Sequence, residues 1–295
     1  MAPKKTKRTI SKHLDLADIR RLVVIAMFSD DVLMDKLVLK GGNALDIGHN
    51  LGTRKSLDID LSMPGDFDDL EEIKKRIFHS LKDRFDSAGF VVFDERFIKK
   101  PDIELEKHPR WGGYCVEFKV VEKSIFNAFQ DSLETLRKNS EVVGPSQQRI
   151  FTIDISKYEY CEGKQAVEVD QYTVYVYTLP MLALEKLRAI CQQMPAYELR
   201  RYRTARARDF YDVHTIVTQG KVKLATPGNA ELLQQIFAAK DVPVAFLDKI
   251  VEQREFHRQD WAAVVNSVSG ELKDFDFYFD FVLDLVRALQ ACRVK

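Results

Sequence analysis

Leu39-Lys40-Gly41-Gly42-Asn43-Ala44-Leu45, followed thirteen residues later by Asp58-Ile59-Asp60-Leu61, is the stretch on which the reading of this chain turns. Ser56 to Met63 alternates: Leu57, Ile59 and Leu61 point one way while Asp58 and Asp60 point the other, because strand side chains repeat every two residues. Two carboxylates on one strand face, roughly 7 Å apart along it, suit one or two magnesium ions, which clamp triphosphate oxygens in an in-line displacement. Upstream, Gly41 and Gly42 let backbone N–H groups approach a phosphate with no side chain in the way. Ala44 to Gly48 can then open a helix whose N-terminus favours anions. A Gly-Gly pair alone reads as a turn, and an Asp-x-Asp alone as a solvated strand face. Their succession in one short unit points to a nucleotidyltransferase site.

The composition bounds the rest. At 295 residues the chain is long enough for two ordinary domains with a substantial core. Its 45 basic and 45 acidic residues cancel, so net charge names no nucleic-acid partner. Local clusters say more: Arg200, Arg201, Arg203, Arg206 and Arg208 can meet phosphates, and so can Lys4, Lys5, Lys7, Arg8 and Lys12. The N-terminal run reads first as a disordered solubilising tail and only second as an RNA-binding arm. Cys115, Cys161, Cys191 and Cys292 lie far apart with no Cys-x-x-Cys pair, which argues against a zinc site or a disulfide scaffold and fits a reducing cytoplasm. The histidines lack metal-ligand spacing, and His214 reads as a packed or surface residue. No signal-peptide core follows the basic start, and Leu22 to Phe28 is too short to span a bilayer, so a soluble cytoplasmic protein without a membrane partner is expected.

Periodicity places the elements. Residues 15 to 36 carry helical spacing at Leu16, Ile19, Val23 and Met27. Pro64-Gly65-Asp66 ends the aspartate strand, and Asp66 or Asp68 is placed to cap an amphipathic helix running to about Ala88 and closed by Gly89. Strand patterns follow at Phe90 to Phe97, Tyr114 to Val121, Ile150 to Ser156 and Tyr172 to Tyr177, with a helix from about Ser124 to Lys138 between them. Past Thr178 helical spacing dominates, at Leu182 to Cys191, Arg208 to Val217, Ala230 to Ala239, Val244 to Glu255 and Phe275 to Leu289. The expected fold class is therefore α/β (α+β): a mixed-sheet domain over residues 1–178 with N-terminal helices, followed by a mostly helical domain over 179–295.

Lys40-Gly41-Gly42-Asn43-Ala44-Leu45 followed by Arg54-x-Ser56-x-Asp58-Ile59-Asp60-Leu61 resembles the AbiEii/AbiGii toxin family of the DNA polymerase beta nucleotidyltransferase superfamily. The pattern continues in Glu185-Lys186-Leu187 and Arg208-Asp209-Phe210-Tyr211-Asp212, so agreement in order and spacing covers roughly residues 36 to 217. The family usually places Thr or Ser directly after the glycines. This chain has Asn43, whose amide can also donate a hydrogen bond to phosphate.

The resemblance implies a metal-dependent enzyme, using Mg2+ or Mn2+, that moves a nucleoside monophosphate from an NTP to an acceptor hydroxyl. It further implies a toxin with a cognate antitoxin protein, in a toxin-antitoxin or abortive-infection system, with the tRNA 3′ end or another RNA as acceptor. Asp58, Asp60, Lys186 and Asp209 then carry catalysis, while Lys40, Gly41, Gly42, Asn43, Arg54, Ser56 and Lys186 meet the nucleotide. Asp58, Asp60 and a third acid hold the metal.

The residues themselves leave alternatives beside each role. The third acid is Asp154 in Phe151-Thr152-Ile153-Asp154-Ile155-Ser156, or Glu117 in Cys115-Val116-Glu117-Phe118, each flanked by apolar residues. Lys186, on the edge of an apolar helix stripe, reads as a snorkelling lysine or as a cation aimed at the β and γ phosphates. Asp209 is an acid suited to a helix N-terminus or a catalytic one, with Asp212 behind it. Two other functions compete: a glycosyltransferase with a metal-binding Asp-x-Asp, which leaves the glycines, Lys186 and Asp209 unexplained, and a non-catalytic nucleotide- or RNA-binding module, which Asn43 favours.

Overall fold

The computed structural model of the chain describes residues 14–52, 58–101, 108, 110–144, 147–200, 202–268 and 270–292. Helices α1 (Leu16–Phe28) and α2 (Asp31–Lys36) lead into β1 (Val38–Lys40), then a short turn of helix α3 (Gly41–Asn43) that widens into a π-helix over Ala44–Gly48. There follow β2 (Ile59–Ser62), α4 (Leu70–Ala88), β3 (Phe90–Lys100), β4 (Gly113–Glu122), α5 (Lys123–Phe129), α6 (Leu133–Asn139), β5 (Phe151–Ser156), β6 (Gln165–Val169) and β7 (Tyr172–Val176). Helices α7 (Leu179–Cys191), α8 (Ala207–Gln219) and α9 (Pro227–Ala238), a 3-10 helix over Val244–Gln253, α10 (Arg254–Arg258), α11 (Trp261–Ser267) and α12 (Phe275–Ala291) complete the order. The α/β class expected from periodicity is the one observed.

The strands form a seven-stranded sheet of order β3-β4-β5-β2-β1-β7-β6. β1 pairs parallel with β7, and β2 parallel with β5, while β1 and β2 are antiparallel. In β5 the alternation is strict: Phe151, Ile153 and Ile155 are buried while Thr152, Asp154 and Ser156 are half-buried on the opposite face. Ile59 and Leu61 do the same work in β2, both with no exposed surface. One apolar cluster runs through these strands and on through Leu182, Phe210, Leu233 and Phe279, so the later helices bury their inner faces in the same core as the sheet.

Several boundaries differ from expectation for identifiable reasons. The helical stretch expected over 15 to 36 is two helices parted at Ser29, where the Asp30 carboxylate accepts from the Leu33 N–H (3.0 Å) and caps α2 afresh. Asp69, not Asp66 or Asp68, caps α4 by accepting from the Glu72 N–H (3.0 Å). Asp66 instead takes the Tyr114 hydroxyl (2.6 Å) and Lys157 (2.7 Å), and Asp68 pairs with Lys36 (3.0 Å). Gly89 closes α4 in a left-handed conformation, as expected. The helix expected over 124 to 138 is two, divided where Ser132 caps α6. β6 and α11 were not anticipated; β6 joins β7 through Asp170 and Gln171, both at positive φ, a hairpin turn made without glycine. Among the described residues no helix is long and apolar enough to cross a membrane.

Candidate active site

The parallel pairing of β2 and β5 sets Asp60 beside Asp154, β1 sets Lys40 beside Asp60, and β4 sets Cys115 opposite Asp154. A row across four strands thus reads Cys115, Asp154, Asp60, Lys40 on one face of the sheet. Gly41 follows Lys40 with φ +66°, and a side chain added there would run into the Asp60 carboxylate. Here glycine is required twice, for the left-handed backbone and for the close approach. Asp58 lies one residue ahead of β2 and not within it, since its carbonyl accepts a hydrogen bond from the Asn43 side chain (2.6 Å).

These carboxylates face a cavity of about 560 Å³, lined also by Gly42, Lys100, Trp111, Glu159, Glu185, Lys186, Arg188, Arg200, Arg206, Arg208, Asp209 and Lys240. Burial raises the Asp60 pKa to about 6; Lys40 and Lys186 oppose the rise, while Glu185 and Asp154 add to it. Burial and the Asp154 charge likewise raise Asp58, against Lys100 and Arg208. Lys100 reaches Asp154 at 3.4 Å.

Most of the cations that line the cavity are internally braced. Lys186 is almost fully buried and donates to Asp209 (3.2 Å) and Asp212 (2.6 Å), both on α8. Asp209 also meets Arg206 (2.7 Å); burial would raise its pKa, but Arg206 and Lys186 outweigh this and lower it. Below them Glu159 gathers Arg188 (2.6 Å), Lys40 (3.4 Å) and Lys240 (3.6 Å). Those cations hold Glu159 well below the usual carboxylate range in spite of its burial. Lys240 is pulled down to about 8 by burial, with Arg188 and Lys40 adding to the fall against Glu159.

Of the residues singled out in the sequence, Lys40, Gly41, Gly42, Asp58, Asp60, Asp154, Lys186 and Asp209 come together at this cavity. Glu117 does not: it pairs across the strands with Thr152 on one side and with Arg96 on the other, whose guanidinium it meets (2.5 Å), which leaves Asp154 as the acid beside Asp60. Asn43 is fully buried and spends its amide on Arg20 (3.2 Å) and the Asp58 carbonyl, so in this structure it faces away from the place expected of a phosphate donor. Lys40 points to Ser156 (3.1 Å), Glu159 and Glu185, and is braced by carboxylates instead of standing open to a nucleotide. Arg54, Ser56 and Arg201 lie outside the described residues. Missed from the sequence were Glu159, Arg188, Lys240, Lys100 and Trp111. Arg188 alone left a signal, as a second cation two residues after Lys186 in an apolar helix.

Among the described residues no three His, Cys, Asp or Glu side chains converge as a finished metal cage. Asp58, Asp60 and Asp154 offer only carboxylate oxygens, the donor type a hard divalent cation takes, and the Asp154 charge acts on both of the others. Mutual repulsion of this kind is relieved by a bound cation.

A cavity lined by carboxylates of neighbouring strands, a glycine turn and a set of buried cations, on this mixed sheet, suits a nucleotidyltransferase. A family model described as "Nucleotidyl transferase AbiEii toxin, Type IV TA system" matches residues 23–281, and the chain belongs to that family. It is thus a nucleotidyltransferase toxin, with an NTP substrate and an antitoxin partner implied by the family; the glycosyltransferase and non-catalytic readings fall away. No curated protein matches the chain. The crystal structure of JHP933 from Helicobacter pylori is similar in fold, at TM-score 0.50 and 16% identity over 94% of this chain and 91% of that one. Also similar are an antigenic nucleotidyltransferase-like protein from Paracoccidioides brasiliensis (TM-score 0.40, 15% identity, 88% and 97% covered) and ANT(2″)-Ia in complex with adenylyl-2″-tobramycin (TM-score 0.33, 16% identity, 77% and 96% covered).

Proposed function

We propose that the chain transfers a nucleoside monophosphate from an NTP to the terminal hydroxyl of an RNA, with the tRNA 3′ end as first candidate, in the cytoplasm where both are held. The carrying observation is the row Asp154, Asp60, Lys40 with Asp58, Gly41 and Lys186 lining the same cavity. Asp58, Asp60 and Asp154 would hold Mg2+ or Mn2+. When bound, such an ion supplies charge stabilisation to the α-phosphate and the oxygens that attack and leave.

The chain's own groups divide the remaining work. The acceptor oxygen bonds to the α-phosphorus, the α–β bridging P–O bond breaks, and pyrophosphate leaves. Asp154, on the side of the row away from Lys40, takes the acceptor's proton. Gly41 and Gly42 bring backbone N–H groups to the phosphates, with Arg54 and Ser56 as further nucleotide contacts. Lys186, locked by Asp209 and Asp212, offsets charge on the departing pyrophosphate. The segment 179–295 serves as the helical domain that brings Lys186 and Asp209 to the sheet.

Arg200 and Arg208 are the acceptor's phosphate contacts. Six other cavity cations, Lys40, Lys100, Lys186, Arg188, Arg206 and Lys240, each have a carboxylate within ion-pair distance, while Arg200 and Arg208 have none among the described residues. Cations without internal partners are the ones available to an incoming polyanion. Incubation with each labelled NTP, Mg2+ and total RNA tests the proposal. One nucleotide should appear at RNA 3′ ends with stoichiometric pyrophosphate; label found only on protein or small molecules would overturn the choice of acceptor.

A further inference from the structure

Asn43 stands where the family usually has a hydroxyl residue, and its surroundings give it a different task. Arg20, on the inner face of α1 and almost fully buried, donates through one terminal nitrogen to the Asn43 Oδ1 (3.2 Å). Its other terminal nitrogen pairs with Asp46 (3.2 Å), inside the π-helix that extends the glycine turn. Asn43 in turn donates its amide to the Asp58 carbonyl (2.6 Å), immediately before β2. A planar guanidinium presents its donors in a rigid fork and so holds two acceptors in set directions, whereas an ammonium's three donors rotate.

We infer that Arg20 and Asn43 form a positioning relay that fixes the Asp58 backbone to the glycine turn, so that Asp58 and Asp60 present their carboxylates as one unit. The inference rests on the proposed role of Asp58. A serine or threonine at 43 has a shorter side chain than asparagine and offers one hydroxyl where asparagine offers a separate acceptor and donor. The Asn43 amide therefore couples α1 to the site in this chain. Groups that orient the ligands of a metal site typically change affinity or activity by 10–100-fold when removed.

The test uses Asn43→Asp, Asn43→Ala, Arg20→Met and Arg20→Lys in the full chain. Asn43→Asp retains an acceptor for Arg20 and removes the donor to Asp58, and the carboxylate charge it adds is paired by Arg20. Its kcat should fall about tenfold to a hundredfold with the KM for NTP changed less than about threefold, and Mn2+ binding should weaken about tenfold. Arg20→Lys should fall between wild type and Arg20→Met, and Arg20→Met with Asn43→Ala, which places no charge at 43, should lose no more than the worse of those two changes made singly, because both act through one path. Wild-type kcat and Mn2+ affinity in a folded Asn43→Asp protein would overturn the relay, as would multiplicative losses in the double variant. If Arg20→Met does not fold, Asn43→Asp and Arg20→Lys decide. If the wild type transfers no nucleotide, the functional proposal fails, and the Mn2+ titration alone decides the relay.

Discussion

Asp60→Asn converts the electrostatics of the cavity floor into a measurable pH dependence. The Asp60 pKa is raised from 3.8 to about 6, so the folded protein binds this proton more tightly than the unfolded chain does. Below pH 3.8 the carboxyl is protonated in both states and carries no penalty. As pH climbs from about 4 to about 6, folding must increasingly bear a buried negative charge, and stability falls. At 1.36 kcal/mol per pKa unit the loss reaches up to about 3 kcal/mol above pH 6, less whatever water in the open cavity screens. Asparagine has nearly the same shape and no such charge, and Lys40 keeps Glu159 and Glu185 as partners. Urea unfolding of both proteins from pH 4 to 8, free of divalent ions, should show the variant gaining on wild type across pH 4–6 and levelling off above. Mg2+ added at pH 7.5 should stabilise the wild type and have far less effect on Asp60→Asn. A flat difference between pH 4 and 7, or equal Mg2+ stabilisation of both, would refute the reasoning.

Three further substitutions probe other parts of the site. Gly41→Ala forces a side chain into a left-handed position and against the Asp60 carboxylate; it should cost about 1–2 kcal/mol in thermal unfolding and abolish transfer, and normal activity would show that the turn can shift. Lys186→Ala should reduce pyrophosphate release at least tenfold at saturating Mg2+, with Lys186→Arg only partly active because guanidinium and ammonium differ in geometry; an unchanged NTP curve would reduce Lys186 to a structural partner of Asp209 and Asp212. Glu159→Gln leaves Lys40, Arg188 and Lys240 around a neutral group and should cost roughly 3–5 kcal/mol in denaturant unfolding; a loss under 1 kcal/mol would mean that the cations relax toward solvent.

How much of this was legible in the sequence depended on whether local pattern or distant pairing decides a position. Asp60 and Asp154 were readable because each sits between buried residues in an alternating strand, and alternation is a local property. Asp58 looked like part of the same strand; only the Asn43 amide, fifteen residues upstream, takes its carbonyl out of the ladder. Asp66, Asp68 and Asp69 are equivalent as caps by residue type, and tertiary partners Tyr114, Lys157 and Lys36 claim two of them. Lys186 stood out as a charge in an apolar helix. Glu159, Lys240 and Lys100 did not, since each follows or ends an ordinary element and gains meaning only when the sheet and later helices meet.

The central claim is that Asp58 and Asp60 support metal-dependent nucleotidyl transfer, and pyrophosphate release in the presence of NTP, Mg2+ and RNA tests it most directly. Wild type should release pyrophosphate, and Asp58→Ala and Asp60→Ala should each fall by about a thousandfold or more while remaining folded, because the charge stabilisation they organise is worth several kcal/mol in the transition state. Undiminished release from both purified variants would contradict it.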